Sequence, residues 1–152
     1  MSQYELVLEL TLDAPRETLF RCYTDPKLLQ QWFAPKPWTI TSVDIDPRAG
    51  GRFNFVMASP DGQAFPNTGI FLAVEANARI VTTDAVTPDS YEPASPFMVA
   101  EVTFEDAGGG KTKYRAVARH WSEETMKTHA QMGFHEGWGQ TARQLEALAQ
   151  SL

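Results

Sequence analysis

The C-terminal stretch from Met132 to Leu152, MGFHEGWGQTARQLEALAQSL, decides how the rest of the chain can fold. Its apolar side chains recur every three or four positions, and this spacing extends back to residue 126, which predicts one amphipathic helix. The apolar stripe consists of Met126, Ala130, Phe134, Trp138, Thr141, Leu145, Leu148 and Leu152. Ser122 is a residue type that caps helix N-termini, so we expect one long helix from there to the end of the sequence.

Three glycines lie inside this predicted helix, at Gly133, Gly137 and Gly139, close to Trp138. Glycine in a helix interior costs about 1 kcal/mol relative to alanine, so their presence needs a reason. Either the glycines let the helix approach a sheet closely, or the missing side chains leave an apolar pocket between helix and sheet. Spacing alone favours close packing.

The sequence upstream of this helix predicts one strand, two short helices and then a run of strands. Residues 4–12 alternate strictly between apolar and polar types, which is typical of a half-buried strand. Asp13 with Pro15, and then Asp25 with Pro26, are typical of helix starts. Further strands are predicted over residues 38–46, 48–57, 68–76, 78–86, 96–106 and 111–121. An antiparallel sheet with helices on one side is an α+β fold, and we expect residues 1–152 to be one domain.

Composition excludes several classes of protein. The chain has 152 residues, of which 43% are hydrophobic, and its net charge is −6 with dispersed basic residues. This argues against nucleic-acid binding and against a polybasic membrane anchor. No apolar run approaches the ~20 residues of a membrane span, and the N-terminal stretch lacks the basic region of a signal peptide. With a single cysteine and no internal disulfide, we expect a cytoplasmic protein.

No catalytic or metal-binding motif stands out. HEGWG begins like the zinc motif H-E-x-x-H, but the second histidine position is Gly139. We therefore predict no metal and no cofactor, and we expect His120, His129 and His135 to be solvated or singly bonded. Cys22 is expected to be a buried, inert thiol. No acid and base pair can be picked out, so no catalytic mechanism is predicted.

Four segments together resemble the START-like (SRPBCC) superfamily, and within it the bacterial homologues of the activator of the 90-kDa heat-shock protein ATPase. They are APRETLFRCYTDPKLLQQWFAP, DPRAGGRFNFVMASPDG, NTGIFLAVEANARIVTT and GFHEGWGQTARQLEALA. The resemblance implies a helix-grip fold, in which a curved antiparallel sheet wraps a long C-terminal helix and two short helices follow the first strand. A cavity usually lies between sheet and helix. Ala142 and Gly139 stand where such sequences usually carry larger residues.

The sequence is rich in aromatic residues that would line such a cavity, so we expect it to bind a small hydrophobic or aromatic molecule. The predicted lining residues are Phe20, Trp32, Phe33, Phe53, Phe55, Met57, Phe71, Tyr114, Gly133, Phe134, Gly137, Trp138 and Thr141. One alternative is a stress-related module that binds a chaperone and activates its ATPase. Another is a cyclase- or hydrolase-like enzyme on the same fold. The expected partner is a small apolar ligand, or a chaperone in the first alternative, without nucleic acid or membrane; monomer and homodimer both stay open.

Overall fold

A computed structural model describes residues 4–152. Residues 1–3, the start of the stretch from which the absence of a signal peptide was predicted, lie outside the described residues. Residues 4–152 form eight strands and four helices. The strands are β1 (Glu5–Leu12), β2 (Thr39–Ile45), β3 (Phe53–Ala58), β4 (Ala64–Asn67), β5 (Ile70–Glu75), β6 (Arg79–Thr83), β7 (Val99–Gly108) and β8 (Lys111–Arg119). The helices are α1 (Arg16–Thr24), α2 (Pro26–Trp32), α3 (Glu123–Gln131) and α4 (Phe134–Gln150).

The strands form two antiparallel sheets, one of five strands in the order β1-β8-β7-β6-β5 and one of three in the order β2-β3-β4. Backbone hydrogen bonds connect the two sheets. The amide of Gly50 donates to the carbonyl of Phe71 at 2.7 Å, and the amide of Phe53 donates to the carbonyl of Gly69 at 2.9 Å. The strand surface therefore continues from one sheet into the other, and the predicted α+β helix-grip fold is confirmed.

Strand β4 is absent from the sequence prediction. The hairpin predicted after β3 is present, since the amide of Ser59 donates to the carbonyl of Gln63 at 2.9 Å. The returning strand is only four residues long, wholly exposed, and contains Pro66. A short exposed edge strand with a proline has neither the alternation nor the residue types by which strands are recognised in a sequence.

The two short helices begin almost as predicted. Asp25 caps α2, because its Oδ1 accepts hydrogen bonds from the amides of Lys27 at 2.9 Å and Leu28 at 3.4 Å. The prediction that Asp13 caps α1 is wrong, since Pro15 is the residue that precedes the helix. The amide of Asp13 instead donates to Glu146 Oε2 at 2.6 Å, which ties the β1–α1 turn to the C-terminal helix.

The predicted C-terminal helix is divided into two. Ser122 does cap its start, with a capping box in which the Ser122 hydroxyl accepts from the amide of Thr125 at 3.2 Å. The prediction of one continuous helix is wrong, because α3 ends at Gln131 and Gly133 adopts φ 91° in the left-handed region. Only glycine adopts this conformation without strain, so Gly133 is the residue that lets the chain change direction between α3 and α4.

Helix α4 is the longest helix of the described chain, with 17 residues, and it packs against β1, α1 and α2. Its buried face joins a core whose members have almost no exposed surface. The largest of these side chains are Trp32, Phe71, Phe104, Phe134, Leu12, Leu19, Leu29 and Leu145. Within residues 4–152, every helix is too short or too polar to cross a membrane.

Candidate functional site

The glycines of α4 face open space rather than close neighbours. A Cβ atom built on Gly137 or on Gly139 would have no heavy atom of a packing neighbour within 4 Å. Elsewhere the chain does use glycine for close approach, since a Cβ on Gly51 would lie 1.9 Å from the carbonyl oxygen of Asp46 and one on Gly69 would lie 2.4 Å from that of Thr83. The close packing that spacing alone favoured is therefore wrong at Gly137 and Gly139.

The two ends of α4 are covered to different extents. Towards its C-terminal end, Ala142 and Leu145 are 0% exposed and Ala149 is 4% exposed. Towards its N-terminal end, Trp138 lies at the middle of the same face yet keeps part of its surface exposed. Neighbouring side chains thus pack closely against the small Ala142. No neighbour packs against Gly137 in the same way.

Most of the predicted aromatic lining residues lie in one group, here called the central aromatic cluster. Its members are Phe20, Tyr23, Trp32, Phe33, Phe53, Phe55, Phe71, Phe104 and Tyr114. Tyr23 connects α1 to α2 and β7, with ring centroids 4.7 Å from Trp32 and 5.6 Å from Phe104. Phe33 continues the cluster to the smaller sheet, 5.2 Å from Phe55. The edge-to-face geometry of these contacts is the favourable one for aromatic rings.

A pair of tyrosines lies within this cluster. The hydroxyls of Tyr23 and Tyr114 are 2.7 Å apart and buried, so each supplies the other's hydrogen bond. Burial raises the pKa of Tyr114 to about 12, and burial together with the Tyr114 hydroxyl raises the pKa of Tyr23 further. Both hydroxyls are therefore neutral in the physiological range. Neither residue is a candidate base.

A second group, here called the histidine cluster, lies where α3 meets α4 and consists of Phe97, His120, His129, Phe134 and Trp138. His120 Nε2 and His129 Nδ1 are 2.8 Å apart, and both residues are buried, at 5% and 7% exposure. The other ring nitrogen of His120, Nδ1, lies 3.0 Å from the backbone carbonyl oxygen of Tyr4. The aromatic rings of Phe134 and Trp138 lie 5.2 Å and 5.7 Å from the ring of His129.

The prediction that the histidines are solvated or singly bonded is wrong for His120, whose two ring nitrogens both have partners, and right for His129, which is buried but makes one ring hydrogen bond. The sequence did carry a signal for His120, because inward-facing residues alternate along β8 and His120 continues that series. The buried series is Thr112, Tyr114, Ala116, Ala118 and His120. His135 agrees with the prediction, since it is exposed and its Nε2 meets one partner, the carbonyl oxygen of Val7 at 3.2 Å.

Burial has a strong effect on His129. Desolvation, and to a smaller extent the neighbouring His120, lowers the pKa of His129 to about 4. His129 is therefore neutral at pH 7. A neutral imidazole keeps one nitrogen as a hydrogen-bond acceptor, so the aromatic surroundings of His129 contain one polar acceptor atom.

The remaining predicted lining residues take up several positions. Trp32, Phe71, Tyr114 and Phe134 are at most 3% exposed, so they belong to the packed core. Phe33, Phe53, Phe55 and Met57 keep partly exposed surfaces. Thr141 lies one turn after Gly137, and its hydroxyl donates to the carbonyl of Trp138 at 3.0 Å.

Cys22 is buried at 0% exposure as predicted, and burial raises the pKa of its thiol, which favours the protonated form. Among residues 4–152, no three His, Cys, Asp or Glu side chains come together as a group that could hold a metal ion.

Two surface depressions flank α2. One of about 80 Å³ is lined by residues that include Trp32 and Trp38, and a wider one of about 530 Å³ runs between Lys36 and Leu148.

Comparison with known proteins identifies the family. The profile of the Activator of Hsp90 ATPase homolog 1-like proteins matches residues 13–150. The chain belongs to this family. Comparison with curated proteins gives no match.

Solved structures of similar proteins agree with this assignment. Protein NE0264 from Nitrosomonas europaea is 42% identical, with a TM-score of 0.93 over 97% of this chain and 95% of that one. Protein Ms6760 from Mycobacterium smegmatis is 26% identical, with a TM-score of 0.79 over 95% and 90%. The AHSA1-like protein from Aeromonas hydrophila, 24% identical with a TM-score of 0.73 over 97% and 92%, shares the fold.

Proposed function

We propose that this member of the Activator of Hsp90 ATPase homolog 1-like family binds a small hydrophobic or aromatic molecule between its sheet and α4. The observation that carries the proposal is the open space at Gly137 beside the partly exposed Trp138. Alanine at this position would stabilise the helix, so packing gives no reason for glycine. Space for a ligand does give one.

The chemistry of the proposed walls supports an uncharged ligand. The partly exposed rings of Phe33, Phe53 and Phe55 contact one another, and in this proposal they form one wall while Trp138 on α4 forms the other. None of these side chains carries a charge, and each offers a large apolar surface. Sites of this composition bind apolar or aromatic molecules, with orientation set by a few polar groups.

Binding of the neutral apolar dye N-phenyl-1-naphthylamine, followed by fluorescence, tests the proposal. Wild-type protein should bind the dye, and Gly137→Leu should weaken binding about tenfold or more because leucine fills the proposed space. Glu136→Leu, which adds bulk at an exposed position of the same helix outside both described depressions, is the control and should bind like wild type. Failure of the wild type to bind, or equal binding by Gly137→Leu, would count against the site.

The family match also supports a second function, activation of a chaperone ATPase, because the profile of the Activator of Hsp90 ATPase homolog 1-like proteins covers residues 13–150. Measuring the ATPase rate of a 90-kDa heat-shock protein with and without the purified chain tests this role directly. A rate that rises with the chain, and that is unaffected by Gly137→Leu, would favour chaperone binding over ligand binding.

A further inference from the structure

One nitrogen of the histidine cluster has no hydrogen-bond partner among residues 4–152. The Nδ1 atom of His129 meets His120 at 2.8 Å, but its Nε2 makes no hydrogen bond within the described chain. Among these residues, no fully shielded side-chain nitrogen or oxygen lacks a partner. Although His129 is only 7% exposed, its Nε2 therefore keeps contact with open space.

The hydrogen bonds from Tyr4 through His120 to His129 determine which nitrogen of His129 carries the lone pair. The carbonyl oxygen of Tyr4 only accepts, so Nδ1 of His120 donates to it across 3.0 Å. When both rings are neutral, Nε2 of His120 is then an acceptor, and Nδ1 of His129 donates to it. The free Nε2 of His129 is consequently left with an unprotonated lone pair, fixed in direction by two hydrogen bonds in series.

The surroundings of this lone pair are aromatic. The rings of Phe97, Phe134 and Trp138 lie 4.9 Å, 5.2 Å and 5.7 Å from the ring of His129. Gly133, four residues after His129, contributes no side chain, and a Cβ built there would meet no packing neighbour within 4 Å. Trp138 belongs both to this cluster and to the proposed ligand site, so the ring of His129 lies 5.7 Å from the ring that forms part of that site.

We propose that Nε2 of His129 is the polar anchor of the site and accepts a hydrogen bond from the hydroxyl of a small phenol-like ligand. This inference rests on the proposed ligand-binding function and narrows its ligand class. A phenol supplies both an aromatic face for the rings and a donor for the lone pair. An ionised carboxylate has no donor and would place its charge against the lone pair and the aromatic faces, so carboxylic acids are disfavoured.

Two probes that differ by one methyl group test the anchor, 1-naphthol, which has a donor, and 1-methoxynaphthalene, which has none. Calorimetric titrations of wild type, His129→Phe and His135→Phe give the ratio of the two affinities in each protein. A single hydrogen bond should give 1-naphthol an advantage of about three- to tenfold in wild type. This advantage should disappear in His129→Phe and persist in His135→Phe, which changes an exposed histidine.

The outcomes separate the anchor from the site. If wild type binds neither probe, the proposed function fails and the anchor fails with it. If both probes bind with the same affinity ratio in wild type and in His129→Phe, the site stands and the anchor is overturned. Should His129→Phe not fold, ¹⁵N NMR of the wild-type imidazoles decides, because the His129 Nε2 signal must move with 1-naphthol and not with 1-methoxynaphthalene. An unchanged signal with bound 1-naphthol overturns the proposal.

Discussion

Two pairs of buried polar side chains lie in the interior, and they differ in what each leaves available. Tyr23 and Tyr114 meet at 2.7 Å within the central aromatic cluster, and their raised pKa values keep both hydroxyls neutral. His120 and His129 meet at 2.8 Å in the histidine cluster, where Nε2 of His129 remains an acceptor. The tyrosine pair is a closed structural contact, whereas the histidine pair leaves one ring nitrogen without a hydrogen-bond partner among residues 4–152.

The side chains around the tyrosine pair are also packed more closely than those around the histidine pair. Beside the tyrosines, Trp32 is 2% exposed and its Nε1 donates to the carbonyl of Cys22 at 3.0 Å. Beside the histidines, Trp138 keeps part of its surface and is followed by a helix turn with Gly139. A fully packed region contributes stability, and a partly empty one forgoes it. The region around Trp32 should therefore contribute more to stability than the region around Trp138.

The two tryptophans give the largest expected effect. Trp32→Ala should lower the free energy of unfolding by about 3–5 kcal/mol, because it empties a closely packed site and removes a hydrogen bond. Trp138→Ala should cost less, about 1–3 kcal/mol, because part of its surface is already exposed. Urea denaturation of both variants measures this difference. Equal losses would mean that the region around Trp138 is packed as closely as the region around Trp32.

The pH dependence of stability should distinguish the two polar pairs. Folding lowers the pKa of His129 from 6.5 to about 4, so the native protein binds fewer protons than the unfolded chain between these values. The contribution of His129 to the free energy of unfolding should therefore be constant above about pH 6.5 and should fall by about 3 kcal/mol as the pH drops to about 4. His129→Phe should remove this part of the slope, as urea midpoints at several pH values would show.

Tyr23→Phe is the matched control for the histidine pair. It leaves the Tyr114 hydroxyl buried without its partner, which should cost about 1–3 kcal/mol. Because folding raises the pKa of both tyrosines, neither titrates between pH 4 and 6.5. The loss should thus be the same at both ends of this range. A loss that changes between them would show that the two pairs are coupled.

Much of the fold follows from local patterns in the sequence. Alternation over residues 4–12, the cap at Asp25 and the cap at Ser122 each depend on neighbours within a few positions. The resemblance to the family added the curvature of the sheet. The break at Gly133 was missed because a glycine within an apolar stripe fits a continuous helix as well as a left-handed turn.

The candidate site was harder to predict because its parts meet over long sequence distances. Tyr23 and Tyr114 are 91 positions apart, and no local pattern links them. His120 and His129 are only 9 positions apart, yet a strand end, a cap and a helix separate them, so their contact depends on how α3 folds back. Whether a helical glycine faces atoms or open space is likewise a property of the packed structure.

The glycines of the C-terminal segment give the smallest expected effect. They also give the sharpest test of whether the region around Trp138 is packed less closely than the region around Trp32. Gly137→Ala should raise the free energy of unfolding by about 0.5–1 kcal/mol, because a Cβ meets no neighbour within 4 Å and alanine is the better helix former. Gly133→Ala should instead lower it by about 1–2 kcal/mol, since φ at this position is 91°. Thermal or urea unfolding of the two variants compares one chemical change at positions four residues apart. If both variants lost stability, the space at Gly137 would be filled by packing neighbours. The N-terminal half of α4, around Gly137, would then be no more available to a ligand than the buried C-terminal half, around Leu145.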